Sequence, residues 1–272
     1  MSKYYTLITG ASSGLGKELA IACAKKKQQL LLVSLPNQDL SGFALSLQKL
    51  YDAKVEIFET DLREQSAPQD LFKWVTEKGF CVNILINNAG LGGSFPFEDS
   101  SYDFIESVIM LNIRATVLIT KLFLPQLKSC ESAYIMNIGS MASYMPIPYK
   151  SIYPASKAFI SNFSQTLRAE LAQTGVSVTL VNPGSMLTND LLKARVASYG
   201  RLARAMTQMP DVVAAAALKA MYRKKTIVLP GWYNRLNLFI LNRLPLRLKS
   251  KVLLNIYKKD YLNTKAIQSR NF

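Results

Sequence analysis

The chain has 272 residues, of which 49% are hydrophobic and none is histidine. That is enough apolar material for a full core, so an intrinsically disordered chain is excluded. Cys23, Cys81 and Cys130 are an odd count without C-x-x-C spacing, which excludes a disulfide framework and a zinc site and suits reduced cysteines in a cytoplasmic protein.

In chain order, Tyr4–Thr9 is a short apolar run ending at glycines, a buried strand rather than a signal peptide. Gly14–Lys27 has helical spacing and closes on three lysines, which suit a helix C-terminus. Strand-like Gln29–Ser34, helical Leu40–Tyr51 and alternating Lys54–Phe58 follow. Pro68–Lys78 is helical with proline near its start, and Val82–Asn87 is a strand. Tyr102–Leu127 is helical on both sides of Asn112, and Ala133–Ile138 is a strand. Tyr153–Gln173 is a long helix, and Val176–Val181 and Thr226–Leu229 are further strands. No stretch reaches the apolar length of a membrane span, and no linker, repeat or low-complexity tract divides the chain. Strands alternating with helices predict an α/β fold, a Rossmann-type doubly wound parallel sheet of about seven strands with helices on both faces. Residues 1–230 are expected to form this domain, and 231–272 a basic helical extension of it.

Two motifs carry chemistry. Thr9-Gly10-Ala11-Ser12-Ser13-Gly14-Leu15-Gly16 lies between a strand and a helix, the setting a phosphate-binding loop needs. Gly10 permits a tight turn, Gly14 lets backbone approach a pyrophosphate, and the helix N-terminus offers free N–H groups. Far downstream, Tyr153 and Lys157 stand four apart and share one helical face. An ammonium beside a phenol favours the phenolate, so Tyr153 is expected to be tuned downward for proton transfer. Ser151 is placed to cap that helix, and Pro154 falls in its first turn. An acid is expected at the end of the second strand for a ribose hydroxyl, yet Val33-Ser34-Leu35-Pro36-Asn37 has none, and Asp39 comes too late. The missing acid removes repulsion against a 2′-phosphate and Ser34 could donate to one, so NADP(H) is favoured over NAD(H).

These residues resemble the short-chain dehydrogenase/reductase family over roughly residues 3–230. Thr9–Gly16 matches its glycine motif, Asp61 in Thr60-Asp61-Leu62 its adenine-pocket acid, and Asn87-Asn88-Ala89-Gly90 its strand-end motif. Asn112, Ser140, Tyr153 and Lys157 match its catalytic set, and Pro183-Gly184 and Thr188 its nicotinamide-side segment. The resemblance implies that Tyr153 is the general acid in carbonyl reduction and the base in alcohol oxidation. It implies that Lys157 lowers the pKa of Tyr153 and bonds the nicotinamide ribose, that Ser140 bonds the substrate oxygen, and that Asn112 holds a relay water. It further implies that Gly10, Ser12, Ser13, Gly14, Leu15, Gly16, Ser34, Asp61, Leu62, Asn88, Ala89, Gly90, Pro183, Gly184, Met186 and Thr188 contact the cofactor. A homodimer or homotetramer is implied as well. Leu91–Pro96 and Met141–Tyr149 are expected to border the substrate, Leu187–Met209 to form a lid, and Tyr144, Met145, Ile147, Tyr149, Met186, Leu191 and Leu192 to line an apolar pocket.

Charge is concentrated at the C-terminus. Of the formal net +15, residues 212–272 hold 13 Lys/Arg against Asp260 alone, while residues 1–211 hold 20 Lys/Arg against 17 Asp/Glu. After Trp232–Leu244 and Pro245, Leu246–Lys259 places Arg247, Lys251 and Lys258 on one helical stripe and Val252, Leu253, Ile256 and Tyr257 on another. Such a helix suits an anionic membrane surface, or equally a helix packed over the pocket or in a dimer interface. No nucleic-acid-binding module accompanies the charge. The expectation is an NADP(H)-dependent oxidoreductase acting on a lipophilic carbonyl/alcohol pair, cytoplasmic or peripheral at a membrane. The alternatives are a 3-oxoacyl-thioester reductase and a non-catalytic nucleotide-sensing or membrane-surface protein.

Overall fold

The computed structural model describes residues 4–186 and 207–268. Seven parallel strands form one sheet in the order β3-β2-β1-β4-β5-β6-β7. They are β1 Tyr4–Thr9, β2 Gln29–Ser34, β3 Val55–Glu59, β4 Cys81–Asn87, β5 Ala133–Ile138, β6 Val176–Val181 and β7 Ile227–Val228. Most read as continuous apolar runs because helices cover both faces of the sheet. One layer comprises α1 Gly14–Ala24, α2 Leu40–Tyr51 and α7 Pro210–Tyr222, whose Leu19, Leu47 and Leu218 pack on Ile8 and Leu32. The other comprises α3 Ala67–Glu77, α5 Thr116–Lys128 and α6 Ile152–Glu170, whose Leu71, Phe123 and Leu167 pack on Leu7 and Ile135. The chain order reverses between β1 and β4, which opens a crevice at their C-terminal ends, where ligands bind in such sheets.

Three local features differ from expectation. α1 stops at Ala24, and the lysines occupy the following turn, where Lys27 takes a left-handed φ of 58° and its Nζ donates to Tyr51 O at 2.6 Å. The segment Tyr102–Lys128 is long and apolar enough to cross a membrane by length and composition, holding an 18-residue window of mean hydropathy 1.6. It nonetheless packs on the sheet through Ile119, Phe123 and Leu127. It is also not uniformly α-helical. Between α4 (Tyr102–Val108) and α5 lies a π-helical turn, Ile109–Ala115, which carries the buried Asn112. Such turns occur frequently at functional sites.

After β7, α8 (Trp232–Arg243) and α9 (Leu246–Gln268) complete the described chain. The buried line of α9 is Lys249 and Leu253, so the apolar stripe expected from the sequence turns inward at Leu253, while Val252 at its rim is exposed. Lys249 is buried because α9 lies on the Met141–Tyr149 segment, where its Nζ donates to Tyr144 O at 3.3 Å.

Candidate active site

The glycine loop leaves the end of β1 with Gly10 and Gly14 in left-handed conformations, φ 65° and 52°. Gly16 is required for close approach, since a Cβ there would stand 2.0 Å from Gly10 O and 2.5 Å from Asn88 Nδ2. Ser13 precedes α1 in extended conformation and its side chain makes no capping bond. The first N–H groups of α1 therefore remain available to an anion.

The end of β4 is stapled to this loop. Asn88 Nδ2 donates to Thr9 O and Gly10 O, both at 3.0 Å, and Thr9 Oγ1 accepts from the N–H groups of Asn88 and Ala89. The Asn88 side chain thus holds the loop together instead of facing the cleft, and Ala89-Gly90 present backbone. Thr9 was not foreseen as a site residue; a polar side chain buried at the last position of a strand is the signal that marks it.

Asn112 is 1% exposed and nearly saturated. Its Oδ1 accepts from Leu91 N at 2.8 Å, and its Nδ2 donates to Leu91 O and Ser156 Oγ, each at 2.9 Å. Ser156 Oγ in turn donates to Tyr153 O at 2.8 Å. Asn112 thereby ties the strand-end segment to the first turn of α6, with Ser156, unforeseen from the sequence, as the connection.

That turn does not begin as expected. Ser151 is already helical (φ −48°, ψ −44°) and its side chain caps nothing, because a capping side chain needs an extended backbone. Pro154 sits in the first turn, where its missing N–H does no harm. Tyr153 is half-buried beneath Gly92, whose added Cβ would lie 3.0 Å from the ring. Lys157 is 5% exposed, its Nζ donating to Ile138 O at 2.8 Å and lying 5.9 Å from the Tyr153 ring centroid. Gly90 passes close to both Lys157 Nζ and Asn112 Oδ1, which a Cβ there would approach to 3.2 and 3.3 Å.

The electrostatics reverse one expectation. Burial raises the Tyr153 pKa above the usual phenol value, and the opposing influence is a hydrogen bond with Ser140, not the Lys157 ammonium. Lys157 itself is pushed down to about 8 by burial. Desolvation outweighs the pairwise attraction that the i,i+4 spacing suggests. Ser140 follows β5 in extended conformation, and its Oγ also accepts from Ala142 N at 3.1 Å.

The remaining cofactor-side residues are more dispersed. Ser34 is buried at the end of β2 with its hydroxyl turned to Leu35 O at 3.0 Å. Asp39 is exposed at the start of α2. Asp61 pairs with Arg63, whose Nε lies 2.9 Å from both carboxylate oxygens. Hydrogen bonds from Arg63 hold its carboxyl below the ordinary value. Leu62 is buried beside it. Pro183 and Gly184 follow β6, and Gly184 packs against Asn234 of α8, which donates to Gln208 Oε1 and Pro230 O. Met186 bridges in parallel to Gln208. Thr188, Leu191, Leu192 and most of the expected lid lie outside the described residues.

The substrate-side loops do meet: Phe95 N donates to Tyr149 O at 2.7 Å, and Phe95 packs edge-on against Phe104. A narrow cleft there is bordered by Gly93, Phe95, Phe104, Tyr149 and Tyr153. The larger cavity, about 650 Å³, is lined by Tyr144, Met145, Ile147, Pro154, Ala158 and Ser250 among others. It lies along the outer side of α6, and none of Asn112, Ser140, Tyr153 and Lys157 lines it. The pocket expectation is corrected to that extent: Tyr144, Met145 and Ile147 turn to this cavity because the loop presents them there, and Tyr149 turns to the cleft.

A nicotinamide dinucleotide fits the residues present. The loop supplies backbone donors at a helix N-terminus, Gly16 and Gly90 keep side chains out of the cradle, and the buried Lys157 ammonium faces Gly90.

Comparison with known proteins shows the family. The family model described as short chain dehydrogenase matches residues 5–198. A very-long-chain 3-oxoacyl-CoA reductase of Neurospora crassa is 37% identical over 182 residues, 65% of this chain and 54% of that protein. The chain therefore spans about half the length of that relative. The ketoacyl reductase HetN of Nostoc sp. is 32% identical over 225 residues, 82% of this chain and 77% of that one. Among solved structures, a short-chain dehydrogenase from Sphingobium yanoikuyae in complex with NADPH superposes with a TM-score of 0.76 at 28% identity, covering 89% of this chain and 96% of that one. The chain belongs to the short-chain dehydrogenase family.

Proposed function

We propose that the chain is an NADP(H)-dependent reductase of a lipophilic carbonyl compound, with a 3-oxoacyl thioester as the best-supported substrate class. The observation that carries the reading is the convergence of Tyr153, Ser140, Lys157 and Asn112 at one sheet edge beside the glycine loop. The names of the Neurospora and Nostoc relatives support the thioester.

The cofactor supplies hydride. Tyr153 gives its proton to the carbonyl oxygen as negative charge develops there, and Ser140 donates to the same oxygen. Burial raises the Tyr153 pKa, so the phenol carries the proton that reduction requires at neutral pH. Lys157 holds positive charge beside the cofactor cradle, in reach of a ribose hydroxyl. Asn112 positions Leu91 and, through Ser156, Tyr153; the Oδ1 lone pair left to it is where a relay water would bind. Gly10, Ser12, Ser13, Gly14, Leu15 and Gly16 hold the phosphates, Asp61 and Leu62 the adenine, and Pro183, Gly184, Met186 and Thr188 the carboxamide side. The preference for NADP(H) rests on the missing acid after β2, with Ser34 donating once its hydroxyl rotates away from Leu35 O. Residues 231–272 belong to the same domain, which works as a homodimer or homotetramer in the cytoplasm or at a membrane surface.

The test is a parallel fluorescence titration with NADPH and NADH, followed by turnover on 3-oxoacyl thioesters. Tyr153→Phe should retain cofactor binding and lose turnover. Full turnover by that variant would sink the mechanism, and tighter NADH than NADPH binding would sink the cofactor assignment.

A further inference from the structure

The helix α8 turns an apolar face to solvent. Its buried positions are Asn234 and Leu238, and Asn234 donates to Gln208 Oε1 at 3.1 Å and Pro230 O at 2.7 Å. Among the described residues its outward positions hold four large apolar side chains: Trp232 is 73% exposed, Leu236 47%, Phe239 55% and Ile240 50%. At 100° per residue these four fall within one narrow arc of the helix, and Arg235 and Arg243 fall on or beside it. The Arg243 guanidinium lies 3.3 Å from the Phe239 ring centroid, so cation and aromatic share one surface. Beyond Pro245, α9 adds exposed Leu248, Val252 and Leu254 together with exposed Arg247, Lys251 and Lys258.

We propose that the outer face of α8, continued by α9, docks the enzyme on an anionic lipid bilayer. A soluble helix normally hides its apolar stripe, and exposed apolar patches of this kind mark interaction surfaces. Charge selects the occupant. Residues 212–272 carry 13 Lys/Arg and one acid, so a second copy would bring two strongly cationic tails together. A surface of anionic headgroups over acyl chains complements both properties at once: the cations meet phosphates, and Trp232, Leu236, Phe239 and Ile240 reach the acyl boundary. Tryptophan suits that position because its ring is apolar and its N–H stays wet.

The docking face is joined to the substrate side. Lys249 Nζ donates to Tyr144 O, Tyr261 stacks on Tyr149 with ring centroids 5.1 Å apart, and Lys150 lies 5.5 Å from the Tyr257 ring centroid. Ser250 lines the same cavity as Met145 and Ile147. With its outward side on lipid, α9 keeps its inward side on the Tyr144–Lys150 loop. This inference goes beyond the reductase reading and does not depend on it, since its measurement needs neither cofactor nor substrate.

The chain has two tryptophans, so in full-length Trp74→Phe protein Trp232 is the sole reporter. Vesicles of phosphatidylcholine mixed with phosphatidylglycerol should shift its emission to the blue and shield it from iodide, and added salt should reverse both. Pure phosphatidylcholine vesicles should do neither. Leu236→Ser with Phe239→Ser should weaken partitioning by about tenfold, and Arg235→Gln and Arg243→Gln by about fivefold each, all with NADPH binding retained. No shift with either vesicle would overturn the proposal, as would equal, salt-insensitive binding to both. Self-association in solution that the Leu236→Ser, Phe239→Ser protein loses would assign the face to a second copy, and binding to an acidic soluble protein in preference to anionic vesicles would assign it to that class.

Discussion

Replacing Lys157 by methionine keeps the length of the side chain and removes its charge, so it isolates what the buried ammonium does to the fold. Lys157 is 5% exposed and donates to Ile138 O at 2.8 Å. Burial lowers its pKa from 10.5 to about 8. At about 1.36 kcal/mol per unit, that shift amounts to roughly 3 kcal/mol of native-state destabilisation in the charged form. The folded pKa lies below the unfolded one. Below pH ~8 both states are protonated and the full penalty applies; between about 8 and 10.5 the folded state loses its proton first, and the penalty fades. Lys157→Met should therefore be the more stable protein at pH 7, by up to roughly 3 kcal/mol less about 1 kcal/mol for the bond lost by Ile138 O. Its advantage should shrink steadily from pH 8 to 10. Urea unfolding of both proteins at each pH measures this, and other alkaline effects cancel in the difference. A stability difference that stays constant over that range would refute the argument. The same variant should lose turnover while remaining folded.

Three further outcomes follow from the site. Ser140→Ala removes the hydrogen bond that restrains the Tyr153 pKa, so the alkaline limb of kcat/KM should move to higher pH while kcat falls about 10²–10³-fold; an unmoved limb in the pH–rate profile would contradict the assignment. Asn112→Ala leaves Leu91 N–H and C=O without their side-chain partner and should lower stability by roughly 1–3 kcal/mol in denaturant titrations. Gly16→Ala forces a Cβ to within 2.0 Å of Gly10 O, so the loop must shift; nucleotide affinity, followed by fluorescence, should fall about tenfold or more.

Much of this molecule is written in local patterns. The strands are legible because sheet positions covered on both faces must be apolar, and the glycine loop because glycine adopts the left-handed φ of Gly10 and Gly14 at least cost and the contact at Gly16 leaves no room for a side chain. Tyr153 and Lys157 are legible as a pair because helical spacing fixes their common face. Their electrostatics are not. Spacing shows that the two groups are near each other, whereas the pKa of each is set by how much water the rest of the fold removes, and that depends on Gly90, Gly92 and Ile138, brought there by other strands and loops. The role of Asn112 is hidden for a similar reason. An amide in an apolar helix can be read as needing partners, but the partners, Leu91 and Ser156, come from two distant segments, and the π-helical turn that aims it leaves no mark on the apolar pattern.

The C-terminal helices show where pattern reading inverts. A stripe of Trp232, Leu236, Phe239 and Ile240 is ordinarily the face a helix buries, and a lone asparagine is ordinarily the face it shows. Here Asn234 is drawn inward because Gln208 and the Pro230 carbonyl offer it hydrogen bonds against Gly184, and rotation of one face inward sends the opposite face out. In α9 the buried Leu253 belongs to the apolar stripe, and Lys249 is buried beside it because the Tyr144 carbonyl gives its ammonium a partner. In α8 a few polar contacts to the loops beside the active site accompany the outward turn of the apolar side chains. The basic charge, the exposed tryptophan and the architecture of the substrate loop are thus consequences of one packing arrangement, and a substitution that frees Asn234 from Gln208 should disturb the outer face of α8 and the Pro183–Gly184 segment together.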